Sequence, residues 1–114
     1  MWNIKKYHKS KPEITLENCL IELGISYVFQ HKVKNRYFDF YIPDHNIIIE
    51  IDGDYHHGKG LSYDSMDPLQ KRSYENDRYK DSIIKKSDYR FIRIWESDLY
   101  KMNLENIKTV ICQK

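Results

Sequence analysis

Two closely spaced segments decide the fold that this sequence encodes. They read Tyr37-Phe38-Asp39-Phe40-Tyr41-Ile42 and Ile47-Ile48-Ile49-Glu50-Ile51-Asp52-Gly53. Both are rich in aromatic and β-branched residues, which predicts β-strands, and Pro43–Asn46 between them predicts a turn. Glu50 and Asp52 interrupt a strand that otherwise has the composition of one buried on both faces. Because buried carboxylates need a compensating cation, this stretch predicts a charged site inside a sheet.

The elements on either side complete an α-β-β-β-α-β-α order. Leu16, Leu20 and Leu23 recur at helical spacing before Gly24, which predicts a first helix with a glycine stop. The remaining predicted elements are a strand over Ser26–Val33, a polar loop from Gly53 to Pro68, a charged helix over Leu69–Lys86, a strand over Tyr89–Trp95 and a last helix capped by Ser97. A crossover helix makes the strands that it joins parallel. The expected fold class is α/β (α+β), with an αβββαβ core and a mixed four-stranded sheet flanked by helices.

Length and composition favour a single intracellular domain. The chain has 114 residues, of which 40% are hydrophobic and 32% are charged, enough for one core and too apolar for a disordered tail. No apolar run approaches a membrane span, and the N-terminus lacks the apolar segment of a signal peptide. We therefore expect no membrane association and a cytoplasmic protein, in the nucleoid or in the cytoplasm of a phage-infected host.

The net charge of +2 hides an uneven distribution. Residues 1–11 are expected to form a basic arm and residues 12–114 a single domain, with a second basic segment over His31–Arg36. A basic rim around an acidic centre suits a protein that grips a polyanion, although ordinary solvated surface charge explains the same pattern. The candidate nucleic-acid-binding residues are Lys5, Lys6, Lys9, Lys11, Lys34, Arg36, Arg72 and Arg78.

Strand alternation predicts where the central carboxylates lie. It puts Asp39 on one face with Tyr37 and Tyr41, and Phe38, Phe40 and Ile42 on the other. Glu50 and Asp52 share a face with Ile48, so adjacent antiparallel strands bring Asp39 beside both acids. Three clustered carboxylates cannot all stay ionised without a cation. Oxygen ligands of this kind suit Mg²⁺ or Mn²⁺, which we expect as the cofactor.

Two histidines follow the Gly53 turn. His56 or His57 could serve as general base for a water molecule or as acid for a leaving oxygen, because the pKa of histidine lies near neutrality. An exposed loop histidine is the alternative for each of them, and favoured for His57. The residues alone leave open which histidine is functional.

Six segments in order carry a resemblance to a known nuclease family. They are Thr15-Leu16-Glu17-Asn18-Cys19-Leu20, Tyr27-Val28-Phe29-Gln30, Phe38-Asp39-Phe40, Ile49-Glu50-Ile51-Asp52-Gly53-Asp54-Tyr55-His56, Asn76-Asp77-Arg78 and Tyr89-Arg90-Phe91-Ile92-Arg93-Ile94-Trp95-Glu96. Together they resemble the very-short-patch-repair (Vsr-like) branch of the PD-(D/E)XK nucleases, which includes the phage homing endonucleases called EDxHD. The resemblance runs from about Thr15 to Leu99.

The resemblance implies a role for each matching residue. Asp39 and Glu50 would bind the metal ion together with the backbone carbonyl of Ile51. His56 would be the catalytic histidine, and Asp77 on the following helix would orient it. The resemblance also assigns Glu17, on the first helix, to a water molecule bound to the metal.

The sequence departs from the family in two places. Asp52 stands where the motif has its catalytic lysine, so the His56–Asp77 pair is the expected replacement. The set of zinc-binding cysteines found in mismatch-repair members is missing, which argues against a true very-short-patch repair enzyme.

The resulting hypothesis is a small metal-dependent DNA endonuclease of the homing type. It would hydrolyse a phosphodiester bond by nicking or double-strand cleavage, and the family implies 5′-phosphate and 3′-hydroxyl ends. Specificity would then depend on its loops and basic arm, on a homodimer or on a partner protein. The alternatives are a structure-specific or defence-system nuclease, such as a junction resolvase, and a nucleic-acid-binding module without catalysis.

Overall fold

The computed structural model describes residues 8–113, so Lys5 and Lys6 of the expected arm lie outside the described residues. The helices and strands, in chain order, are α1 (Lys11–Leu23), β1 (Val28–Val33), β2 (Arg36–Ile42), β3 (Ile47–Asp52), α2 (Pro68–Lys85), β4 (Arg90–Trp95), α3 (Glu96–Leu99) and α4 (Leu104–Cys112). The element order agrees with the expectation from the sequence as far as β4. Lys11, which was expected in the arm, is the first residue of α1.

Local capping explains where the long helices begin and end. The Ser10 side chain accepts a hydrogen bond from the Glu13 amide, and the Glu13 carboxylate accepts one from the Ser10 amide. Gly24 ends α1 with a φ of 70°, a conformation that glycine adopts without steric cost. Asp67 and Gln70 cap α2 in the same reciprocal way. These caps fix both helices independently of the sheet.

The four strands form one mixed sheet in the order β1-β2-β3-β4. The β1–β2 and β2–β3 pairs are antiparallel, whereas β3 and β4, joined by α2, are parallel. Both the mixed sheet and the parallel pair are confirmed. The β3–β4 register places Glu50 opposite Arg93 and Asp52 opposite Trp95.

The sheet separates two apolar clusters. The larger one packs Phe40, Ile49 and Leu16 with residues of α3 and α4, and the smaller one packs Phe38 and Ile48 against Ile84 of α2. Each apolar side chain buried in this way contributes roughly 1.5–3 kcal/mol to folding. The charged side chains of β3 lie on the side of the smaller cluster.

Phe38 corrects the expected strand alternation. Phe38 and Phe40 were predicted to share a face, but they pack in clusters on opposite sides of the sheet. The regular pairing is interrupted between them: the β1–β2 register omits Asp39 and Gln30, and Gln30 has a φ of 58°. This irregularity rotates the chain at Asp39 and turns the Phe38 ring toward α2.

The C-terminal region differs from the prediction of one helix capped by Ser97. Ser97 lies within the short α3, and α4 begins separately after Asn103, whose side chain accepts a hydrogen bond from the Asn106 amide. Asn103 is the better cap because its own amide also donates to the side-chain oxygen of Asn106, at the third helical position. Within residues 8–113, no helix is both long and apolar enough to cross a membrane.

Candidate active site

The two central strands part at Asp39. Paired residues between β2 and β3 end at Phe40 and Ile49. Beyond that point the Asp39 amide donates to Glu50 Oε1 at 2.7 Å, and the Ile51 amide donates to Asp39 Oδ2 at 2.8 Å. Side-chain carboxylates thus take the place of backbone carbonyls as acceptors, and both acids are held between the strands.

A lysine from α2 completes this arrangement. Lys80 Nζ lies 2.6 Å from Glu50 Oε2, and both residues are buried. Glu13, on the first turn of α1, is also buried, and its charge acts on Asp39. We refer to Glu13, Asp39, Glu50 and Lys80 as the fork cluster.

The acids of the fork cluster are harder to ionise than exposed carboxyl groups. Burial, followed by the charge of Glu50, raises the pKa of Asp39 from 3.8 to about 8, and Glu13 adds to the rise. Burial also raises the pKa of Glu50, although Lys80 opposes the shift. Asp39 and Glu50 offer only oxygen donors, and Lys80 is paired with Glu50 alone. This donor set fits a hard divalent cation such as Mg²⁺ or Mn²⁺.

A second cluster lies where β3 meets the following loop and α2. His57 Nδ1 is 2.5 Å from Asp77 Oδ2 and 3.8 Å from Asp52 Oδ1. Arg93 Nη1 lies 3.0 Å from both carboxylate oxygens of Asp52 and 3.4 Å from Asp77 Oδ1. We refer to Asp52, His57, Asp77 and Arg93 as the loop cluster. It lines a cavity of about 210 Å³.

The loop itself is anchored so that His57 faces inward. The His57 amide donates to the Gly53 carbonyl at 3.0 Å, which closes a turn directly after β3. The buried Gln70 side chain donates to the Tyr55 carbonyl at 2.7 Å. Since Gln70 belongs to the α2 cap, the start of α2 fixes the loop that carries the histidine.

Cations supplied by the protein largely neutralise the loop cluster. The Arg93 guanidinium also binds Asp81 Oδ1 at 3.0 Å, and Arg78 binds the other Asp81 oxygen at 2.8 Å. Burial opposes ionisation of His57, but the hydrogen bond to Asp77 and the charge of Asp52 outweigh it, so the pKa of His57 is raised.

The loop cluster could also hold a metal ion by its spacing. Ligand atoms of Asp52, His57 and Asp77 all lie within 4.8 Å of one another. Arg93, however, already supplies a cation between Asp52 and Asp77. In the fork cluster, by contrast, the lysine cation is paired with Glu50 alone.

The structure brings some of the expected site residues together and separates others. Asp39 and Glu50 meet as expected, whereas Asp52 belongs to the loop cluster. The structure does not place His56 against Asp77: the His56 ring is exposed, and His57 is the histidine that Asp77 contacts. Of the two histidines, His57 is the one that the turn at Gly53 points toward α2.

Glu17 does not reach the fork cluster. Its Oε2 accepts hydrogen bonds from Lys9 Nζ and the Tyr27 hydroxyl, each at 2.6 Å. Glu13 lies one helical turn earlier and is the α1 acid that acts on Asp39. The sequence held a signal that Glu13 is buried, because Glu13 lies three and seven residues before Leu16 and Leu20, which form the buried face of α1.

Sequence reasoning also gave no site role to Lys80 and Arg93. Lys80 lies on the same helix as Arg72 and Arg78, which were expected to bind nucleic acid, but it is buried against Glu50. Arg93 lies in an apolar strand directly opposite Glu50, and it interrupts that strand as Glu50 interrupts β3. The coincidence of two charged residues in two buried strands was the available signal.

Most of the predicted nucleic-acid-binding side chains that the structure describes are exposed. Lys34 lies in the β1–β2 turn, and Arg72 and Arg78 lie on the outer side of α2. The Arg36 guanidinium stacks on the Tyr79 ring at 4.5 Å and donates to Asn76 Oδ1. Of the two lysines near the N-terminus, Lys9 is bound to Glu17, whereas Lys11 lies near the Tyr100 ring.

The arrangement of helices and strands has a counterpart among solved structures. The chain is similar to the homing endonuclease I-Bth0305I catalytic domain, with a TM-score of 0.59 and 21% sequence identity, over 89% of this chain and 93% of that one. It shares the fold of a nuclease. At this identity the likeness establishes the fold, a mixed sheet flanked by helices. No protein-family model matches the chain, and no curated protein matches it significantly.

Proposed function

We propose that this protein is a divalent-metal-dependent DNA endonuclease of the homing type, in the Vsr-like branch of the PD-(D/E)XK nucleases. The observation that carries the proposal is the fork cluster, in which Glu50 accepts from the Asp39 amide and Asp39 accepts from the Ile51 amide, so that two carboxylates lie side by side between the strands. The likeness to a homing endonuclease catalytic domain supports the same activity and the same DNA substrate.

The residues that would hold Mg²⁺ or Mn²⁺ are Asp39, Glu50 and the backbone carbonyl of Ile51. The all-oxygen donor set favours this position, and the ion would displace the proton that the raised pKa of Asp39 keeps there near neutral pH. When bound, the ion supplies charge to polarise a phosphodiester and to stabilise the transition state. Glu13, buried at the first turn of α1, would accept a hydrogen bond from a water molecule at this position.

His57 is the proposed general acid–base group. Asp77 accepts the Nδ1 hydrogen, which fixes the tautomer and leaves Nε2 to take a proton from the attacking water. The raised pKa of His57 makes the ring a stronger base than an isolated histidine. Asp52 and Arg93 would hold the His57–Asp77 pair in place rather than contact the substrate.

The proposed DNA surface combines the β1–β2 turn with the outer side of α2. Lys34, Arg36 and Arg72 line two adjoining grooves in which the Tyr79 side chain is shared. The Arg36 guanidinium is already ordered by Tyr79 and Asn76, so less side-chain entropy is lost when it binds a phosphate. Because one module would make one incision, a double-strand break would need a homodimer or a partner protein.

The deciding experiment is incubation with supercoiled plasmid in Mg²⁺, in Mn²⁺ and in EDTA. We expect nicked or linear DNA with either metal ion and intact plasmid in EDTA. DNA binding in a gel-shift assay without cleavage under any metal condition would contradict the proposal and favour a binding module without catalysis. For variants of Asp39 the matched control is Asp44→Asn, since Asp44 is an exposed acid in the turn between β2 and β3.

A further inference from the structure

Lys80 makes a contact that the proposed reaction does not yet use. Its Nζ is 2.6 Å from Glu50 Oε2, with side-chain exposures of 9% and 5% for the two residues. The ammonium also lies 4.5 Å from the centre of the Phe38 ring. Phe38 is fully buried on the α2 side because the chain turns at Asp39. The backbone irregularity at Asp39 therefore also places the Phe38 ring against Lys80.

Stability alone is a weak reason for such a pair. Two ions removed from water are often no more stabilising than a well-packed apolar pair of the same volume. The pair here lies beside an apolar cluster of Phe38, Ile48 and Ile84 that an apolar side chain could extend. An effect of Lys80 on the position of the Glu50 carboxylate is a better explanation for an ion pair beside this apolar cluster.

Each carboxylate oxygen of Glu50 has its own hydrogen-bond donor. Oε1 accepts from the Asp39 amide at 2.7 Å, and Oε2 accepts from Lys80. The carboxylate plane is thus defined from two sides before any ion binds. Each oxygen retains a second lone pair for a metal ion.

We propose that Lys80 is a positioning residue for cleavage: from α2, it fixes the orientation of Glu50 at the fork. This inference rests on the proposed function. The position that a lysine would occupy on β3 is Asp52, which binds Arg93 instead. The cation that contacts Glu50 is instead Lys80, which α2 supplies.

Two opposite effects on metal binding and turnover follow. The ammonium repels a divalent ion beside Glu50, so its removal strengthens metal binding. The same removal frees the Glu50 carboxylate to rotate, which slows the reaction even when the metal site is saturated. A lysine with a purely structural role would change neither quantity in the folded protein.

The test uses the full chain with Lys80→Met and Lys80→Arg, and with Lys85→Met as an exposed-lysine control on the same helix. Mn²⁺ affinity is measured by electron paramagnetic resonance, and nicking is measured at saturating Mn²⁺. We expect Lys80→Met to bind Mn²⁺ about tenfold more tightly. We also expect it to nick about 10–100-fold more slowly. Lys80→Arg keeps the charge, so its affinity stays near that of the wild type while nicking slows because the larger guanidinium displaces Glu50.

A measurement without metal separates this inference from the proposed function. The Asp39 amide proton, which donates to Glu50, should shift upfield in the NMR spectrum of Lys80→Met or Lys80→Arg and not in that of Lys85→Met. An unchanged Asp39 amide, or unchanged affinity and rate in Lys80→Met, would overturn the inference while leaving the endonuclease proposal intact. If Lys80→Met does not fold, Lys80→Arg gives the decision through the same amide and the nicking rate. A wild-type protein that neither binds Mn²⁺ nor nicks DNA would refute the proposed function, and a shifted Asp39 amide would then still show that Lys80 orients Glu50.

Discussion

The fork cluster and the loop cluster share strand β3 through Glu50 and Asp52, which are two residues apart. The two clusters differ in how their carboxylates are paired with cations. In the loop cluster, Arg93 contacts Asp52, Asp77 and Asp81 through its planar guanidinium. In the fork cluster, Lys80 contacts Glu50 through a single ammonium, and the pKa of Asp39 rises to about 8. A guanidinium with several fixed donors can serve several carboxylates, whereas an ammonium is a point charge. Under the proposed function, the protein's own cations balance the loop cluster, whereas the fork cluster takes an added metal ion.

The largest expected effect distinguishes the two clusters by activity. Asp39→Asn removes a carboxylate that the metal ion requires, so plasmid nicking should fall by about 10³-fold. DNA binding should stay nearly unchanged, because the phosphate-contacting residues lie elsewhere. The measurement is single-turnover nicking alongside a gel-shift titration, with Asp44→Asn as the control. Wild-type nicking by Asp39→Asn would show that the fork cluster is not the metal site.

The next effect is on stability and belongs to the loop cluster. Arg93→Met leaves Asp52 and Asp77 without their shared cation, and breaking a buried ion pair of this kind costs about 3 kcal/mol. Urea unfolding should show the loss, whereas the exposed Arg72→Met should change the free energy of unfolding by less than about 0.5 kcal/mol. Equal stability of the two variants would mean that Arg93 does not balance the loop cluster.

A smaller effect on rate tests which histidine acts. His57→Ala removes the base that Asp77 orients, and nicking should slow by about 10²-fold. His56→Ala is the matched neighbour, and its exposed ring should be dispensable within about twofold in the same assay. The reverse ranking of the two variants would place the functional histidine one residue earlier, as the family resemblance alone implied.

The last prediction concerns the pH dependence of stability. The pKa of Asp39 is higher in the folded chain, about 8, than its ordinary value of 3.8, so the folded state binds the proton more strongly between these values. The free energy of unfolding should therefore fall as the pH rises through this window, and the raised pKa values of Glu50 and His57 act in the same direction. Asp39→Asn should flatten the slope in urea titrations from pH 4 to pH 8 without divalent ions. A slope equal to that of the wild type would show that Asp39 is not the titrating group.

Local signals in the sequence were sufficient for the fold. The apolar runs of β2 and β3, the leucine periodicity before Gly24 and the crossover over α2 predicted the element order and the parallel β3–β4 pair. They also predicted that Asp39 and Glu50 would lie side by side, because directly opposed residues of antiparallel strands are neighbours.

The remaining site residues depended on contacts that local periodicity does not encode. The break in alternation at Asp39 displaced Phe38 to the α2 face, and the loop turn selected His57 over His56. Glu13 is the exception, because its spacing from Leu16 and Leu20 was a usable signal for the buried face of α1.

The sequence by itself determined the elements and the presence of buried acids in a strand, since hydrophobic periodicity and capping act over a few residues. Only the tertiary structure decided which cation meets which acid. Lys80 lies 30 residues after Glu50, and Arg93 lies 41 residues after Asp52. Both meetings require α2 and β4 to pack on β3, and burial in that packing then sets the charge state of each cluster.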